Sequence, residues 1–262
     1  MANRRKGLVI IPAYNEEACI CQTVERVRQE AVQFDVVVID DCSTDRTREI
    51  CAEQGFPCIG LSANLGIGGA VQTGYRYARG KGYEMAVQFD ADGQHGVACL
   101  PRMVRCMEEQ RADLVVGSRF LEKEGFQSSA ARRAGIRWFS WLIRFLTGVK
   151  ITDPTSGLRL AGKEAIALFA ESYPKDYPEP ESVFALLRRG ARVREVPVRM
   201  HARQGGSSSI SPAKAVYYMV KVSLAILVEC RRARRARACG EAAVNDKSGE
   251  CERKKDGKEA RG

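Results

Sequence analysis

The run Asp-Val-Val-Val-Ile-Asp-Asp at residues 35–41 decides the fold of this chain. Its apolar residues are continuous and mostly β-branched, which is typical of a strand buried on both faces. The run closes on two acids, Asp40 and Asp41, and the Ser-Thr-Asp that follows at 43–45 can cap a helix. A buried strand that leads through polar residues into a helix predicts a parallel sheet covered by helices on both sides.

Strand-like runs alternate with helical patterns through the first half of the chain, which predicts an α/β fold with a mostly parallel sheet flanked by helices. The predicted strands are Gly7–Pro12, Asp35–Ile39, Cys58–Leu61, Tyr83–Phe89 and Asp113–Gly117, and the predicted helices are Glu16–Ala31, Gly66–Ala78 and Val97–Gln110. Ligands of such sheets bind beyond the carboxyl ends of the strands. The candidate functional residues at those ends are 12–16, 40–41 and 90–94.

The fourth predicted strand ends in an acidic pair, Asp90-Ala91-Asp92, and Gln94 follows. Neighbouring carboxylates repel each other, and a divalent cation between them removes that cost. Hard oxygen ligands suit Mg²⁺ or Mn²⁺. We therefore predict a metal site formed by Asp90 and Asp92, with Gln94 as a third oxygen ligand. A turn closed by Asp-Gly is the structural alternative.

The second half of the sequence is less regular. Ala130–Leu146 has the pattern of an amphipathic helix, with arginines 133, 137 and 144 on one stripe and Trp138 and Trp141 on an adjacent apolar arc. Residues 193–200 alternate like an edge strand, where Pro197 is tolerated. We find no internal repeat.

The charge distribution predicts acidic partners and a C-terminal tail. The chain carries a net charge of +10 over 262 residues. We divide it into a main domain at 1–212, an apolar helix at 213–230 and a disordered basic tail at 231–262. The apolar segment Ala215–Val228 is shorter than the roughly 20 residues of a spanning helix. Insertion in the membrane interface and packing in the core both remain open for it.

The cysteines predict a reducing environment. None of the ten forms a Cys-x-x-Cys pair, and most are scattered among apolar residues. We also expect no signal peptide, because Arg4, Arg5 and Lys6 lead directly into a short strand. The cytoplasm is the expected compartment.

The order of several motifs resembles family 2 glycosyltransferases of the GT-A fold. These motifs are Pro12–Glu16, Asp40–Thr47, Asn64–Gly66 and Asp90–His95. Gly117–Arg119 and Thr152–Arg159 look like the branch that contains dolichol-phosphate mannose synthases and bacterial polyprenyl-phosphate glycosyltransferases. The similarity covers about residues 7–212. In two places the chain departs from the family: Cys42 stands where glycine is usual, and Asp176–Glu181 differs from Gly-Tyr-x-x-Gln-x-Glu.

The resemblance implies a site for a nucleoside-diphosphate sugar at the strand ends. The implied donor-binding residues are Pro12, Ala13, Tyr14, Glu16, Asp40, Asp41, Asn64, Gly66, Asp90, Ala91 and Arg203. Tyr14 would stack on the base, and Asp41 would accept a hydrogen bond from the base or the ribose. The cation would stabilise the departing diphosphate, so Asp92 also counts as catalytic. Loop turns and helix caps are the structural alternatives, and UDP and GDP donors both remain open.

The resemblance also implies an acceptor side. Arg119 and Arg133 would contact an acceptor phosphate, and Asp153 and Glu181 belong to acceptor-side elements. A hydroxyl acceptor would need a general base among Asp153, Glu179 and Glu181. A lipid phosphate needs no strong base, because its oxygen is already ionised near neutral pH. The arginines therefore favour a polyprenyl phosphate.

The sequence thus predicts an inverting, metal-dependent glycosyltransferase that modifies a polyprenyl phosphate. We expect it in the cytoplasm, peripheral to the anionic inner face of the cell membrane. One alternative is transfer to a sugar hydroxyl of a cell-surface polysaccharide. Another is a nucleotidyltransferase, which would need basic residues where Pro12–Glu16 is acidic. Only the charge suggests a nucleic-acid binder, and we expect no nucleic-acid partner because no recognised motif is present.

Overall fold

A seven-stranded sheet forms the centre of the protein. The computed structural model describes residues 7–90, 96–122, 130–198 and 217–231. Its strands are β1 (Gly7–Ala13), β2 (Phe34–Asp40), β3 (Cys58–Gly60), β4 (Met85–Gln88), β5 (Leu114–Ser118), β6 (Arg159–Gly162) and β7 (Val193–Pro197). They lie in the order β3-β2-β1-β4-β6-β5-β7. The mostly parallel α/β sheet predicted from the sequence is confirmed.

Strand β6 is the exception to the parallel arrangement. It runs antiparallel to both of its neighbours, β4 and β5. The sequence pattern missed it, because Arg-Leu-Ala-Gly at 159–162 has neither alternation nor a long apolar run. The edge position predicted for β7 is confirmed, and Pro197 is its last residue.

Helices cover both faces of the sheet. They are α1 (Ile20–Glu30), α2 (Thr47–Glu53), α3 (Gly66–Lys81), α4 (Leu100–Glu109), α5 (Ala130–Thr147), α6 (Lys163–Glu171) and α7 (Pro178–Arg188), and we label the helical residues 217–231 α8. A 3-10 turn, Val97–Cys99, precedes α4, so the single helix predicted over Val97–Gln110 is divided. Helices α6 and α7 were not predicted from the sequence.

The core has two parts, one on each face of the sheet. Alternate residues of β1 show this directly, because Leu8 and Ile10 join one cluster while Val9 and Ile11 join the other. All seven residues of β1 are buried. The continuous apolar runs of the sequence therefore indicated strands covered on both faces, as predicted.

Helix α1 begins later than predicted. Its first residue is Ile20 rather than Glu16. Asn15 has a left-handed φ of 56°, which a helix cannot include. The preceding residues are instead hydrogen-bonded to the loop that follows β2, as described below. The predicted apolar face is correct, because Ile20, Val24 and Val27 are all buried.

Helix α8 corresponds to the apolar segment near the C-terminus. Val222, Ile226 and Cys230 are buried on its inner side. The Tyr218 ring lies 5.3 Å from Phe139 of α5 and 4.4 Å from Tyr177, measured between centroids. Among the described residues, no helix is both long enough and apolar enough to span a bilayer. Residues 213–216 and the predicted tail beyond 231 lie outside the described ranges.

Candidate active site

The loops that follow β1 and β2 are joined by hydrogen bonds. Asn15 Oδ1 accepts the N–H of Thr44 at 2.8 Å, and the N–H of Asn15 donates to Ser43 Oγ at 3.0 Å. The N–H of Glu16 donates to Thr47 Oγ1 at 2.8 Å. The motifs at 12–16 and 40–47 therefore form one structural unit at the carboxyl edge of the sheet.

The two acids that close β2 are buried and hold this unit in place. Asp40 and Asp41 are 1% and 3% exposed. Asp40 Oδ1 accepts the N–H of Ser43 at 3.3 Å, and Asp41 Oδ1 accepts the N–H of Leu65, at the start of α3, at 2.7 Å. Burial raises the pKa of Asp41. One oxygen of Asp41 thus caps a helix, and its contact with a nucleotide stays a prediction.

The other predicted donor residues lie around these acids. Pro12 and Ala13 end β1 and are buried, whereas the Tyr14 side chain is 48% exposed and can be reached by a ligand. Asn64 Oδ1 accepts the N–H of Gly66 at 3.1 Å, and Gly66 begins α3 with a φ of 74°. Their contacts with a donor nucleotide remain predictions.

Asp90 follows β4 and lies against the loop that precedes β6. A Cβ added to Gly157 would lie 2.7 Å from Asp90 Oδ2, so glycine allows the carboxylate to approach the loop before β6. Four predicted residues, Ala91, Asp92, Gln94 and Arg203, lie outside the described ranges. Among the described side chains, no three His, Cys, Asp or Glu residues form a metal-binding group. The predicted metal site therefore remains a prediction.

Arg119 and Asp153, two residues predicted for the acceptor side, form a buried ion pair. Arg119 Nε lies 2.6 Å from Asp153 Oδ2, and Arg119 Nη2 lies 2.7 Å from Asp153 Oδ1. Arg119 Nη2 also donates to Thr155 Oγ1 at 3.0 Å. The side chains are 8% and 0% exposed. Both oxygens of Asp153 thus bind Arg119, an arrangement that orients the guanidinium better than it suits a general base.

Glu195 of β7 holds the loop that carries Asp153. Its carboxylate accepts the N–H of Thr152 at 2.8 Å, the hydroxyl of Thr152 at 2.9 Å and the N–H of Asp153 at 2.9 Å. Burial raises the pKa of Glu195, and these hydrogen bonds oppose that shift. The sequence analysis placed residue 195 in an edge strand and assigned it no role. Alternation along β7 carries no information about what a polar residue contacts.

Arg159 of β6 also stabilises the loop that carries Asp153. Its guanidinium is fully buried and donates to the carbonyl oxygens of Ser156 and Pro154 at 2.7 and 2.8 Å and to Ser182 Oγ at 2.6 Å. The residues at 152–159 that resemble the family motif are therefore fixed from β7 on one side and from α7 on the other.

Helix α5 brings Arg132 to this region. Loss of hydration and then repulsion from Arg119 lower the pKa of Arg132, while Asp153 and Glu179 raise it. Arg132 is nevertheless solvent-accessible, and Arg133 is half-buried. The sequence analysis selected Arg133, which stays a prediction. Two adjacent arginines differ by about 100° around a helix, so only the direction of the helix distinguishes them.

The two glutamates at the start of α7 point toward different surroundings. Burial raises the pKa of Glu179, with Arg159 opposing and Asp90 adding to the shift. Burial also raises the pKa of Glu181 to about 7, where Lys221 opposes the shift and Asp176, Glu229 and Glu179 add to it. Of the two, Glu179 therefore interacts electrostatically with Asp90, whereas Glu181, the residue predicted for the site, interacts with Lys221 and Glu229 of α8. Its predicted catalytic role is untested.

The fold and the site define an α/β protein with acids at the strand ends on one side and converging arginines on the other. A family comparison matches residues 8–167 to "Glycosyl transferase family 2". This match covers more than half of the chain, so the chain belongs to glycosyl transferase family 2 and is a glycosyltransferase.

Individual relatives agree with this assignment. The chain is 32% identical to an undecaprenyl-phosphate mannosyltransferase of Micrococcus luteus, over 87% of this chain and 98% of that protein. It is 28% identical to a UDP-N-acetylglucosamine–dolichyl-phosphate N-acetylglucosaminyltransferase of Methanococcus voltae, over 73% and 84%. The fold is similar to glucosyl-3-phosphoglycerate synthase of Mycobacterium tuberculosis in complex with Mn²⁺, UDP and glucosyl-3-phosphoglycerate. That similarity has a TM-score of 0.64 and 19% identity, over 86% of this chain and 80% of that chain.

Proposed function

We propose that this glycosyltransferase transfers a sugar, with inversion, from a nucleoside-diphosphate sugar to a polyprenyl phosphate. The observation that carries the proposal is the buried pair of Arg119 with Asp153, with which Arg132 of α5 interacts electrostatically. Guanidinium groups bind the oxygens of a phosphate through charge-assisted, often bidentate hydrogen bonds. The polyprenyl-phosphate and dolichyl-phosphate relatives support the same acceptor class.

The reaction needs positioning more than proton transfer. A phosphate oxygen forms a bond to the anomeric carbon while the bond from that carbon to the donor diphosphate breaks on the opposite face. The phosphate is already ionised near neutral pH, so no strong base is required. The Asp153 carboxylate orients Arg119, and Glu195 fixes the loop that carries Asp153. These contacts would hold the acceptor phosphate in line with the donor.

The residues of the chain fit a divalent cation. The carboxylates of Asp90 and Asp92 and the amide oxygen of Gln94 are hard oxygen donors of the kind that Mg²⁺ and Mn²⁺ prefer. Such a cation would supply positive charge to the departing diphosphate. On the nucleotide itself, Tyr14 would stack on the base, and Asp41 and Glu16 would contact the base and the ribose.

A hydroxyl acceptor is the second candidate, and Glu179 is the residue that favours it. Burial raises the pKa of Glu179, and the charge of Asp90 adds to that shift. A carboxylate with a raised pKa can accept a proton from an attacking hydroxyl. This alternative makes Glu179 essential, whereas the phosphate acceptor makes Arg132 essential.

The decisive experiment uses the whole chain with labelled UDP-sugars and GDP-sugars, Mn²⁺, and a short polyprenyl phosphate in detergent. We expect a sugar-phosphate lipid with inverted anomeric configuration, and no product from the dephosphorylated polyprenol. Asp90→Asn should abolish transfer, while Glu84→Gln, at the opposite end of the same strand, should not. Transfer to an oligosaccharide hydroxyl with no lipid product would refute the proposed acceptor.

Substitutions of three arginines in α5 test whether Arg132 binds the acceptor phosphate. Arg132→Gln should raise the KM for polyprenyl phosphate more than the KM for the nucleotide sugar. Arg137→Gln changes an exposed arginine of the same helix and serves as the matched control. If Arg133→Gln has the larger effect, the residue predicted from the sequence is correct and the electrostatic assignment of Arg132 is wrong.

We further propose that helices α5 and α8 rest on the inner face of the cell membrane. Trp138, Trp141 and Phe145 are 42%, 54% and 72% exposed and form a row, with ring centroids 5.2 and 5.5 Å apart. Trp138 Nε1 donates to Ser223 Oγ of α8 at 2.9 Å. Leu224, beside Ser223, is 56% exposed. Amphipathic surfaces with exposed tryptophan suit the depth of lipid head groups.

Vesicle co-sedimentation tests this surface. The double substitution Trp141→Ser and Phe145→Ser should reduce binding to vesicles that contain phosphatidylglycerol, without changing turnover on a water-soluble acceptor analogue. Val32→Ser removes an equally exposed apolar side chain, 62% exposed, from the loop after α1. Equal binding by both variants would show that these helices do not contact the bilayer.

A further inference from the structure

A turn with an unfavourable backbone conformation precedes helix α7, and we call residues 174–177 the pre-α7 turn. Its last residue, Tyr177, has a left-handed φ of 51° and stands directly before the first residue of α7. This conformation is unfavourable for a residue that has a Cβ, and it persists only where the surrounding structure holds it. The contacts of the pre-α7 turn therefore show which elements fix the start of α7.

Helix α3 contacts the main chain of the pre-α7 turn. The N–H of Gly68 donates to the carbonyl of Lys175 at 3.2 Å. A Cβ on Gly68 would lie 2.1 Å from the carbonyl oxygen of Pro174, so a side chain at this position would displace the turn. The start of α3 is in turn fixed by the hydrogen bond from the N–H of Leu65 to Asp41. The turn thus lies directly against a helix that is tied to the end of β2.

Helix α8 contacts the pre-α7 turn through side chains. The Tyr218 ring lies 4.4 Å from the Tyr177 ring and 5.3 Å from the Phe139 ring of α5, measured between centroids. Lys221 Nζ also lies 2.6 Å from Asp176 Oδ2. This ion pair is exposed and contributes little, so the ring contacts are the stronger connection. Tyr218 therefore contacts both α5 and the turn that opens α7.

Helix α7 connects this turn to the loop before β6. Ser182 Oγ donates to the carbonyl of Glu179 at 3.1 Å and accepts a hydrogen bond from Arg159 Nη1 at 2.6 Å. The same guanidinium donates to the carbonyls of Pro154 and Ser156 at 2.8 and 2.7 Å. Ser182 and Arg159 are buried, so a shift of α7 would leave these hydrogen bonds unmade rather than replaced by water.

We propose that Tyr218 is a positioning residue for the acceptor. It holds Tyr177 in its unfavourable conformation, and α7 transmits that constraint to the loop that carries Asp153. The inference rests on the proposed function, because this loop belongs to the predicted acceptor side. When the ring contact is lost, the backbone of Tyr177 relaxes and the start of α7 shifts. Helix α8 thus contributes to the placement of the acceptor phosphate in addition to its contact with a bilayer.

Steady-state kinetics in detergent test this role. Tyr218→Ala should raise the KM for a short polyprenyl phosphate about tenfold, the factor that corresponds to the loss of one aromatic contact. The affinity for UDP and GDP with Mn²⁺, measured by titration calorimetry, should not change. Tyr218→Phe keeps the ring and should restore the KM, and Tyr217→Ala, which removes a 60% exposed tyrosine of the same helix, should leave it unchanged. Because no bilayer is present, loss of membrane attachment cannot explain the result.

A substitution in α3 perturbs the same turn without changing α8. Gly68→Ala places a methyl group against the carbonyl of Pro174 and should raise the KM for the acceptor by a similar factor. Gly80→Ala is the matched control in the same helix, because no atom of the described residues lies within 4 Å of its added Cβ. If Tyr218→Ala raises this KM and Gly68→Ala does not, α8 contacts the acceptor directly and the positioning role is refuted.

Hydrogen–deuterium exchange separates this inference from the proposed function. The N–H groups of Thr152 and Asp153 donate to Glu195, so their exchange reports whether the loop before β6 is fixed. Tyr218→Ala should speed exchange in the peptide that contains this loop but not in the peptides of β1, and Tyr217→Ala should speed neither. Unchanged exchange in the loop would refute the positioning role. If the unmodified chain transfers no sugar to polyprenyl phosphate, the proposed function fails, while the exchange experiment still decides whether α8 fixes the loop.

Discussion

The two sides of the candidate active site hold their carboxylates in different ways. Among the residues predicted for the donor side, Asp40 and Asp41 accept the main-chain N–H groups of Ser43 and Leu65. On the predicted acceptor side, Asp153 is paired with the guanidinium of Arg119, a residue 34 positions away in the sequence. The carboxylates of the predicted donor side are therefore held by main-chain hydrogen bonds, and the carboxylate of the predicted acceptor side is held by a charged side chain.

This difference has an energetic consequence. A buried ion pair gains little net stability, because desolvation of both charges offsets their attraction. Removing only one partner, however, leaves an uncompensated buried charge. A main-chain hydrogen bond is worth about 1 kcal/mol. The acceptor side should thus be more sensitive to single substitutions than the donor side, and the predictions below test that ordering.

The largest effect is expected from Asp153→Ala. It leaves the buried Arg119 without its bidentate partner, so the free energy of unfolding should fall by about 3–5 kcal/mol. Urea unfolding followed by circular dichroism measures this change. Glu53→Gln breaks the exposed pair between Arg46 and Glu53 and should leave stability unchanged. Similar losses for both variants would contradict the contrast between buried and exposed pairs.

A smaller effect is expected from Glu195→Gln. The amide cannot accept all three hydrogen bonds that the carboxylate accepts from Thr152 and Asp153, so stability should fall by about 1–3 kcal/mol. Because Glu195 holds the loop that carries Asp153, the KM for the acceptor should rise while nucleotide affinity is unchanged. Isothermal titration with the nucleotide and initial rates with the acceptor separate the two. Weaker nucleotide binding would count against separate roles for the two sides.

The raised pKa of Glu181 predicts how the stability of the protein depends on pH. Its pKa rises from 4.5 to about 7 on folding, mainly through burial. The folded state therefore binds the proton more tightly, and stability falls as pH increases between these values. Glu181→Gln should remove this slope and gain about 1–2 kcal/mol at pH 8, allowing for partial exposure. If the free energy of unfolding changes with pH in the same way for both proteins from pH 4 to pH 8, the raised pKa of Glu181 is contradicted.

The smallest effect is expected at Cys42. It has a left-handed φ of 61°, the conformation in which glycine is favoured. Cys42→Gly should stabilise the protein by about 0.5–1 kcal/mol, as measured by thermal unfolding. Cys21→Gly makes the same substitution within α1 and should destabilise instead. If both substitutions change the stability in the same direction, the backbone at Cys42 is not strained.

The sequence was most informative where the structure depends on neighbours along the chain. The apolar runs predicted β1, β2, β4 and β5 to within about two residues. The helix at 16–31 was misplaced at its start, because Asn15 and Glu16 bind the loop after β2 rather than opening a helix. Local patterns cannot detect a hydrogen bond between two loops about 30 residues apart.

The candidate site shows the same limit. The family motifs correctly brought residues 119 and 153 into one region, but not their mutual ion pair. Our proposal of Arg132 rather than Arg133, and of Glu179 rather than Glu181 as the glutamate that interacts with Asp90, depends on how α5 and α7 are rotated against the sheet. One residue of error on a helix turns a side chain by about 100°.

By itself, the sequence determined the α/β class, the acids at the ends of the buried strands and membership of a glycosyltransferase family. These features follow from the periodicity of apolar residues and the order of motifs, and both can be read along the chain without knowledge of its packing. Only the tertiary structure decided the antiparallel placement of β6, the pairing of Arg119 with Asp153 and the approach of Asp90 to Gly157. Those features arise from sheet order and helix rotation, which depend on packing among residues distant in the chain.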